Sequence, residues 1–167
     1  MEENYELDEV TTLSAFSIGE PGKRTFFLVI GQKEEWIRAW LEKEQLLVLA
    51  LAIDQFFFTI VKEHPRFPRE GERKTIPDDT PSGLPSVEYE IDQIALGYDQ
   101  GTAILDLLVH KPANPEEEQV ELNCRVTLTQ LKELGSQAKE ICAAGRPRCT
   151  LCGGPIDPTG HICPRLN

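Results

Sequence analysis

The segment Val120-Glu-Leu-Asn-Cys-Arg-Val126 runs directly into Thr127-Leu-Thr-Gln130. Val120, Leu122, Cys124 and Val126 alternate with Glu121, Asn123 and Arg125, the period of a strand with one buried and one wet face. Cys124 reads in this pattern as a small core residue. Thr127 and Gln130 have the spacing of a capping box, and Leu128, Leu131, Leu134, Ala138, Ile141 and Cys142 then form one helical stripe that stops at Gly145. A one-faced strand running into a one-faced helix predicts an α+β body in which the helix packs on a sheet.

Upstream, Val87 to Leu96 and Thr102 to Val109 also alternate, and a phase slip between Ile91 and Ile94 predicts a bulge. The same order occurs earlier. Period-2 patterning covers Thr11–Ile18, Arg24–Ile30 after the turn Gly19-Glu-Pro-Gly22, and Trp36–Leu41. Glu42 to Val61, without Gly or Pro, then reads as a helix. Phe16 matches Ile94, Gly19 matches Gly97, and Gln45-Leu46 matches Gln130-Leu131, which points to a duplicated strand-strand-strand-helix unit. The expected product is an antiparallel sheet with two helices on one side and a zinc knuckle at the C-terminus. The predicted boundaries are 1–62 and 87–145 for the two halves, 63–86 for a linker rich in proline and charge, and 146–167 for a zinc-binding tail.

The chain has 17 basic and 28 acidic residues and a net charge of −11. From Arg146 onward three arginines stand against Asp157 alone, so the body is more acidic still. Such a surface repels phosphate backbones and argues against nucleic-acid binding. Met1-Glu-Glu-Asn-Tyr-Glu lacks a secretory n-region, which predicts a cytoplasmic protein. Leu46 to Val61 carries Asp54, Gln55 and Thr59 and falls short of the roughly 20 apolar residues of a membrane span. It reads as a buried helix.

In the tail, Cys149-Thr-Leu-Cys152 brings two thiolates to one ion, and Gly153 and Gly154 let the backbone fold around them. His161 and Cys163, two apart, point to one face of an extended segment. Turn residues, including Pro155, Asp157, Pro158 and Gly160, leave almost nothing apolar here, so metal must take the place of a core. A redox Cys-x-x-Cys would have to open a helix, which Gly153-Gly154-Pro155 prevents, and the spacing fits no common iron–sulfur run. The pattern predicts one structural zinc on Cys149, Cys152, His161 and Cys163, with Cys142 as the alternative to His161.

Three blocks carry a resemblance: Gly19-Glu-Pro-Gly-x-Arg24-x-Phe-Phe-Leu28, Leu41-Glu-Lys-Glu-Gln45, and Gly145-Arg-Pro-x-Cys-x-Leu-Cys-Gly-x-Pro-x-Asp-Pro-x-Gly-His-x-Cys-Pro-Arg-x-Asn167. Over nearly its whole length the chain resembles an uncharacterised bacterial family of high-GC Gram-positive lineages and Chloroflexi. Members look to be encoded beside a histidine-phosphatase-like protein and a protein distantly similar to phosphatidylinositol kinases. Val29-Ile30 departs from the Gln-Ala pair expected there.

No catalytic constellation stands out. His64 and His110 read as solvated, and there is no phosphate loop or nucleophile elbow. Asp54 is a candidate buried acid, with a wet helix rim as its ordinary reading. Trp36, Arg38 and Trp40 share one strand face opposite Ile37, Ala39 and Leu41, a composition typical of protein interfaces. The expected function is a zinc-binding, non-enzymatic adaptor or regulatory protein with a protein partner or a second copy. The alternative is an enzyme or accessory subunit in phosphate-related chemistry.

Overall fold

The computed structural model describes residues 3–20, 22–63, 83–99, 101–114, 116, 119–144, 149–154, 156 and 160–166. In chain order the elements are β1 (Glu3–Leu7), β2 (Thr12–Ile18), β3 (Thr25–Gln32), β4 (Glu35–Leu41), α1 (Lys43–Glu63), β5 (Val87–Asp99), β6 (Thr102–His110), β7 (Val120–Val126) and α2 (Leu128–Ala143). They form a seven-stranded sheet in the order β1-β7-β6-β5-β4-β3-β2 with two helices, an α+β fold. The sheet is mixed rather than antiparallel, because β4 pairs β5 and β7 pairs β1 in parallel. β1 escapes the pattern reading because Glu3, Asn4 and Glu6 give it little apolar signal.

The connection between β1 and β2 forces the sheet to curl. These strands are its opposite edges, yet only residues 8–11 separate them, a reach of at most roughly 18 Å. A flat sheet of this many strands would be about 29 Å across. Closing that gap bends the sheet around the main core, where Leu28, Leu105, Leu107 and Leu122 meet Leu46, Leu49, Leu131 and Leu134 of the helices. The opposite face carries a smaller cluster of Phe27, Val29 and Trp36, with Phe16 and Trp40 packed against it.

The registers lay the two halves over one another. Ile18↔Thr25 and Asp99↔Thr102 close the first hairpins, and Gln32↔Glu35 and Val109↔Val120 close the second. β1 and β2 together therefore match the single long strand β5, and their break matches the bulge between Ile91 and Gln93. Both breaks are tied down in the same way. Gln45 accepts from the Glu42 amide and donates to the Ile91 carbonyl at 3.0 Å, while Gln130 accepts from the Thr127 amide and donates to the Val10 carbonyl at 2.8 Å. The Gln45/Gln130 match is thus a structural one. Phe16 falls opposite Gly97 in this register rather than Ile94, so the matches of Phe16 and Gly19 read from the sequence are three positions out.

Where the helices cross, a Cβ on Gly135 would stand 2.8 Å from Ile53 Cγ2, so only glycine permits this approach. α1 corrects the expectation of a buried helix. By length and composition alone it could cross a membrane, yet Leu46, Leu49, Ala50, Ile53 and Ile60 are buried in the core while Leu47, Val48, Leu51 and Phe58 are exposed. The expected linker lies mostly in residues 64–82, outside the described ones, as do His64 and Gly145.

Candidate metal centre

The tail closes on itself through its backbone. Cys149 N–H donates to Gly154 O at 2.8 Å and Gly153 N–H donates to Cys149 O at 2.9 Å, forming a knuckle in which Gly153 takes φ 73°. That left-handed value is one glycine adopts at no cost. Gly154 N–H points at Cys152 Sγ from 3.4 Å. Beyond the turn residues, Gly160 at φ 117° brings the chain back to His161 and Cys163.

The ligand atoms of Cys149, Cys152, His161 and Cys163 all lie within 4.8 Å of one another and can hold a metal ion. Cys149 Sγ is 3.8 Å from Cys163 Sγ, and Cys152 Sγ is 3.3 Å from His161 Nε2. Cys163 is buried and the other three are half-buried. The amides of Cys152 and Leu151 aim at the Cys149 thiol and pull its pKa down to about 6. Cys163 differs: the Arg165 amide pulls its thiol down, but burial and the neighbouring sulfurs outweigh this and raise it. One ready thiolate beside a thiol that gains by losing its proton to a cation is a donor set suited to a divalent metal.

His161 is thus the fourth member of the cluster. Cys142 packs instead against the main core near the end of α2, where burial raises its thiol pKa. Pro155, Asp157 and Pro158 of the expected turn lie outside the described residues.

The other residues singled out in the sequence fall into separate places. Trp36, Arg38 and Trp40 share the helix-free face of the sheet, with the Arg38 guanidinium 5.3 Å from each indole and 5.2 Å from the Phe27 ring. Trp36 is only 5 % exposed, so Arg38 and Trp40 provide most of what this trio presents to solvent. Arg38 also donates to Glu88 at 2.9 Å. Asp54 is exposed and accepts from Lys139 of α2, so it is a wet rim acid. His110 is held on both sides, by Asp92 at 2.9 Å and Glu90 at 3.1 Å, and the bond to Asp92 chiefly raises its pKa.

Two concavities were not legible in the sequence. A cleft of 1330 Å³ opens at one end of the curled sheet, with Tyr5, Lys33, Lys111 and Gln119 on its wall. A groove of 840 Å³ runs between α1 and β5. Both depend on contacts between distant strands and helices, which periodicity does not encode.

No curated protein and no solved structure matches this chain. A family model does, over residues 5–163, which takes in both halves of the sheet and all four residues of the metal cluster. The chain belongs to the family of proteins of unknown function DUF3090.

Proposed function

We propose that this protein is a zinc-stabilised, non-enzymatic adaptor of the cytoplasm that acts by binding another protein or a second copy of itself. The observation that carries the zinc assignment is the closed set of four protein ligands. Three cysteines and one histidine are a zinc donor set, and a tetrahedron with Zn–S bonds of ~2.3 Å places its sulfurs ~3.8 Å apart. The separation of Cys149 and Cys163 is 3.8 Å. A catalytic zinc keeps a position for water, whereas four protein ligands fill the shell, so this ion's task is to fold the tail.

Support for the adaptor role comes from apolar surface that the fold leaves uncovered. Leu47, Leu51 and Phe58 line one exposed side of α1, and Trp40 with Arg38 offers an aromatic and cationic anchor on the opposite face of the sheet. Trp and Arg are the residues most often found at the energetic centre of interfaces. The test is sedimentation of the purified protein together with capture of partners by wild type and Trp40→Ala. Loss of about 2 kcal/mol of binding in a folded variant is expected. A monomer that captures nothing sinks the adaptor role.

A second reading has one observation behind it. The cleft at the sheet end carries Lys33 and Lys111 on a wall that also holds Glu34 and Glu35, and an anionic ligand held by the two lysines would favour an enzyme or accessory subunit in phosphate-related chemistry. Saturable binding of inorganic phosphate or a phosphorylated small molecule, lost in Lys33→Ala with Lys111→Ala, would bring this reading forward. Binding of nucleic acid fits neither reading, given the net charge of −11.

A further inference from the structure

The two halves of the fold treat their free strand edges differently. In the first half, α2 lies against β2 and buries Gln137, whose Oε1 accepts the outward Ala15 amide at 2.8 Å. The edge of β2 is thereby satisfied within the chain. In the shared register Ala15 corresponds to Leu96 of β5, and Gln137 of α2 corresponds to Ala52 of α1. Strand residues alternate in the direction of their amides, so the Leu96 amide points to the corresponding outer side. There it meets a helix whose matching residue ends in a methyl group and accepts no hydrogen bond.

The consequence is visible in the shape. Where α2 seals β2, α1 stands off β5 and leaves the 840 Å³ groove, floored by Val48, Ala52 and Phe56 on one side and Ile94, Leu96 and Gly97 on the other. Among the described residues, β5 beyond Ile91 pairs with β6 alone. An apolar trough beside a strand edge is the arrangement by which sheets accept an added strand: backbone bonds hold it, and alternate side chains enter the trough.

Charge selects the occupant. Among the described residues, the ionisable side chains lining the groove are Glu44, Glu63, Asp92 and Tyr98, with no lysine or arginine. A second copy would bring this acidic rim against its own like and be repelled, whereas an extended segment alternating apolar and basic residues would be matched in both respects. We infer that the groove between α1 and β5 binds an extended, basic and apolar segment of a partner protein, which pairs with the outer edge of β5 as an added strand. This inference rests on the adaptor reading and names the chemistry of its partner.

The probe is a fluorescein-labelled nine-residue peptide of alternating lysine and valine, added to the full chain and followed by anisotropy, with hydrogen exchange of the β5 amides in parallel. Saturable binding and at least tenfold slower exchange at the Leu96 amide are expected. Binding should weaken at least tenfold when glutamate replaces lysine in the peptide. The same loss is expected in Ala52→Gln, which supplies the chain's own acceptor as Gln137 does, and in Val48→Lys, which places a cation in the trough. Both positions are exposed in α1, so the variants should fold, and circular dichroism verifies it. Equal binding by wild type and both folded variants, or unchanged exchange at Leu96, overturns the inference. So does a dimer dissolved by Ala52→Gln, which would make a second copy the occupant, or Val48-dependent binding to phosphatidylcholine vesicles without peptide binding. If the groove fails while Trp40-dependent partner capture persists, the adaptor reading stands without it.

Discussion

Gln130→Ala is the perturbation that most sharply tests how the curled sheet is held. The Gln130 side chain does two things: its oxygen accepts the Thr127 amide at 2.9 Å, and its nitrogen donates to the Val10 carbonyl at 2.8 Å. Losing the side-chain half of the capping box costs ~1 kcal/mol, the worth of one hydrogen bond, because Thr127 Oγ1 still accepts the backbone amide of residue 130. Val10 is 7 % exposed, and a buried carbonyl left without its donor costs ~1–3 kcal/mol. Alanine recovers only a few tenths of a kcal/mol of helix propensity. The sum is about 3 kcal/mol, which for a domain of this size lowers Tm by roughly 6–12 °C. The assay is thermal melting followed by circular dichroism, with Gln45→Ala beside it, since Gln45 makes the equivalent pair of bonds at Glu42 and Ile91. The Gln130 variant should be the weaker of the two. It frees the connection after the five-residue β1, which among the described residues pairs with β7 alone, whereas Gln45 ties a bulge inside a continuous strand. Melting of both variants within about 1 °C of wild type would refute the idea that these glutamines pin the strand breaks.

Gly135→Val should destabilise by about 1–3 kcal/mol, because its branched side chain meets Ile53 at the helix crossing, and Ile53→Ala should restore part of the loss in a double-mutant cycle. Trp36→Ala should cost about 3–5 kcal/mol of stability, since the ring is buried with Phe27 and Val29, while Trp40→Ala should cost mainly binding. His110 has a pKa raised above 6.5 by Asp92, so the charged ring stabilises the fold fully below about pH 6.5, and this contribution disappears as pH rises through the raised value. Wild type should therefore exceed His110→Asn by a margin that shrinks with rising pH in denaturant titrations. A constant margin between pH 5 and 9 would contradict it.

Much of this fold is legible because the residues that make it also pattern locally. The alternation of Val120 to Val126 and the capping box at Thr127 place β7 and α2 to within a residue, and the phase slip near Ile91 marks the bulge. β1 is not legible, since its place depends on a parallel pairing with β7 more than a hundred residues away. The exposure of one side of α1 is hidden for a related reason. Leu47, Leu51 and Phe58 look like core in composition, and which side of α1 meets the body is set by tertiary packing that composition does not carry. The tail is the reverse case. Its four cluster residues lie within fifteen residues of one another, so spacing alone suffices to read it. Trp36 and Trp40 share a face as the alternation requires, but their burial does not follow from it: Trp40, edge-on to Phe27, is half-buried, while Trp36 is 5 % exposed.

Metal analysis of the purified full chain asks whether Cys149, Cys152, His161 and Cys163 hold zinc. Mass spectrometry of wild type, Cys163→Ser and His161→Ala, each with a Cys142→Ser counterpart, reads both the element and its ligands. About one zinc per chain is expected in wild type and in Cys142→Ser, with most of it lost in the other two variants. Iron in place of zinc, zinc fully retained in both Cys163→Ser and His161→Ala, or loss on changing Cys142 would contradict it.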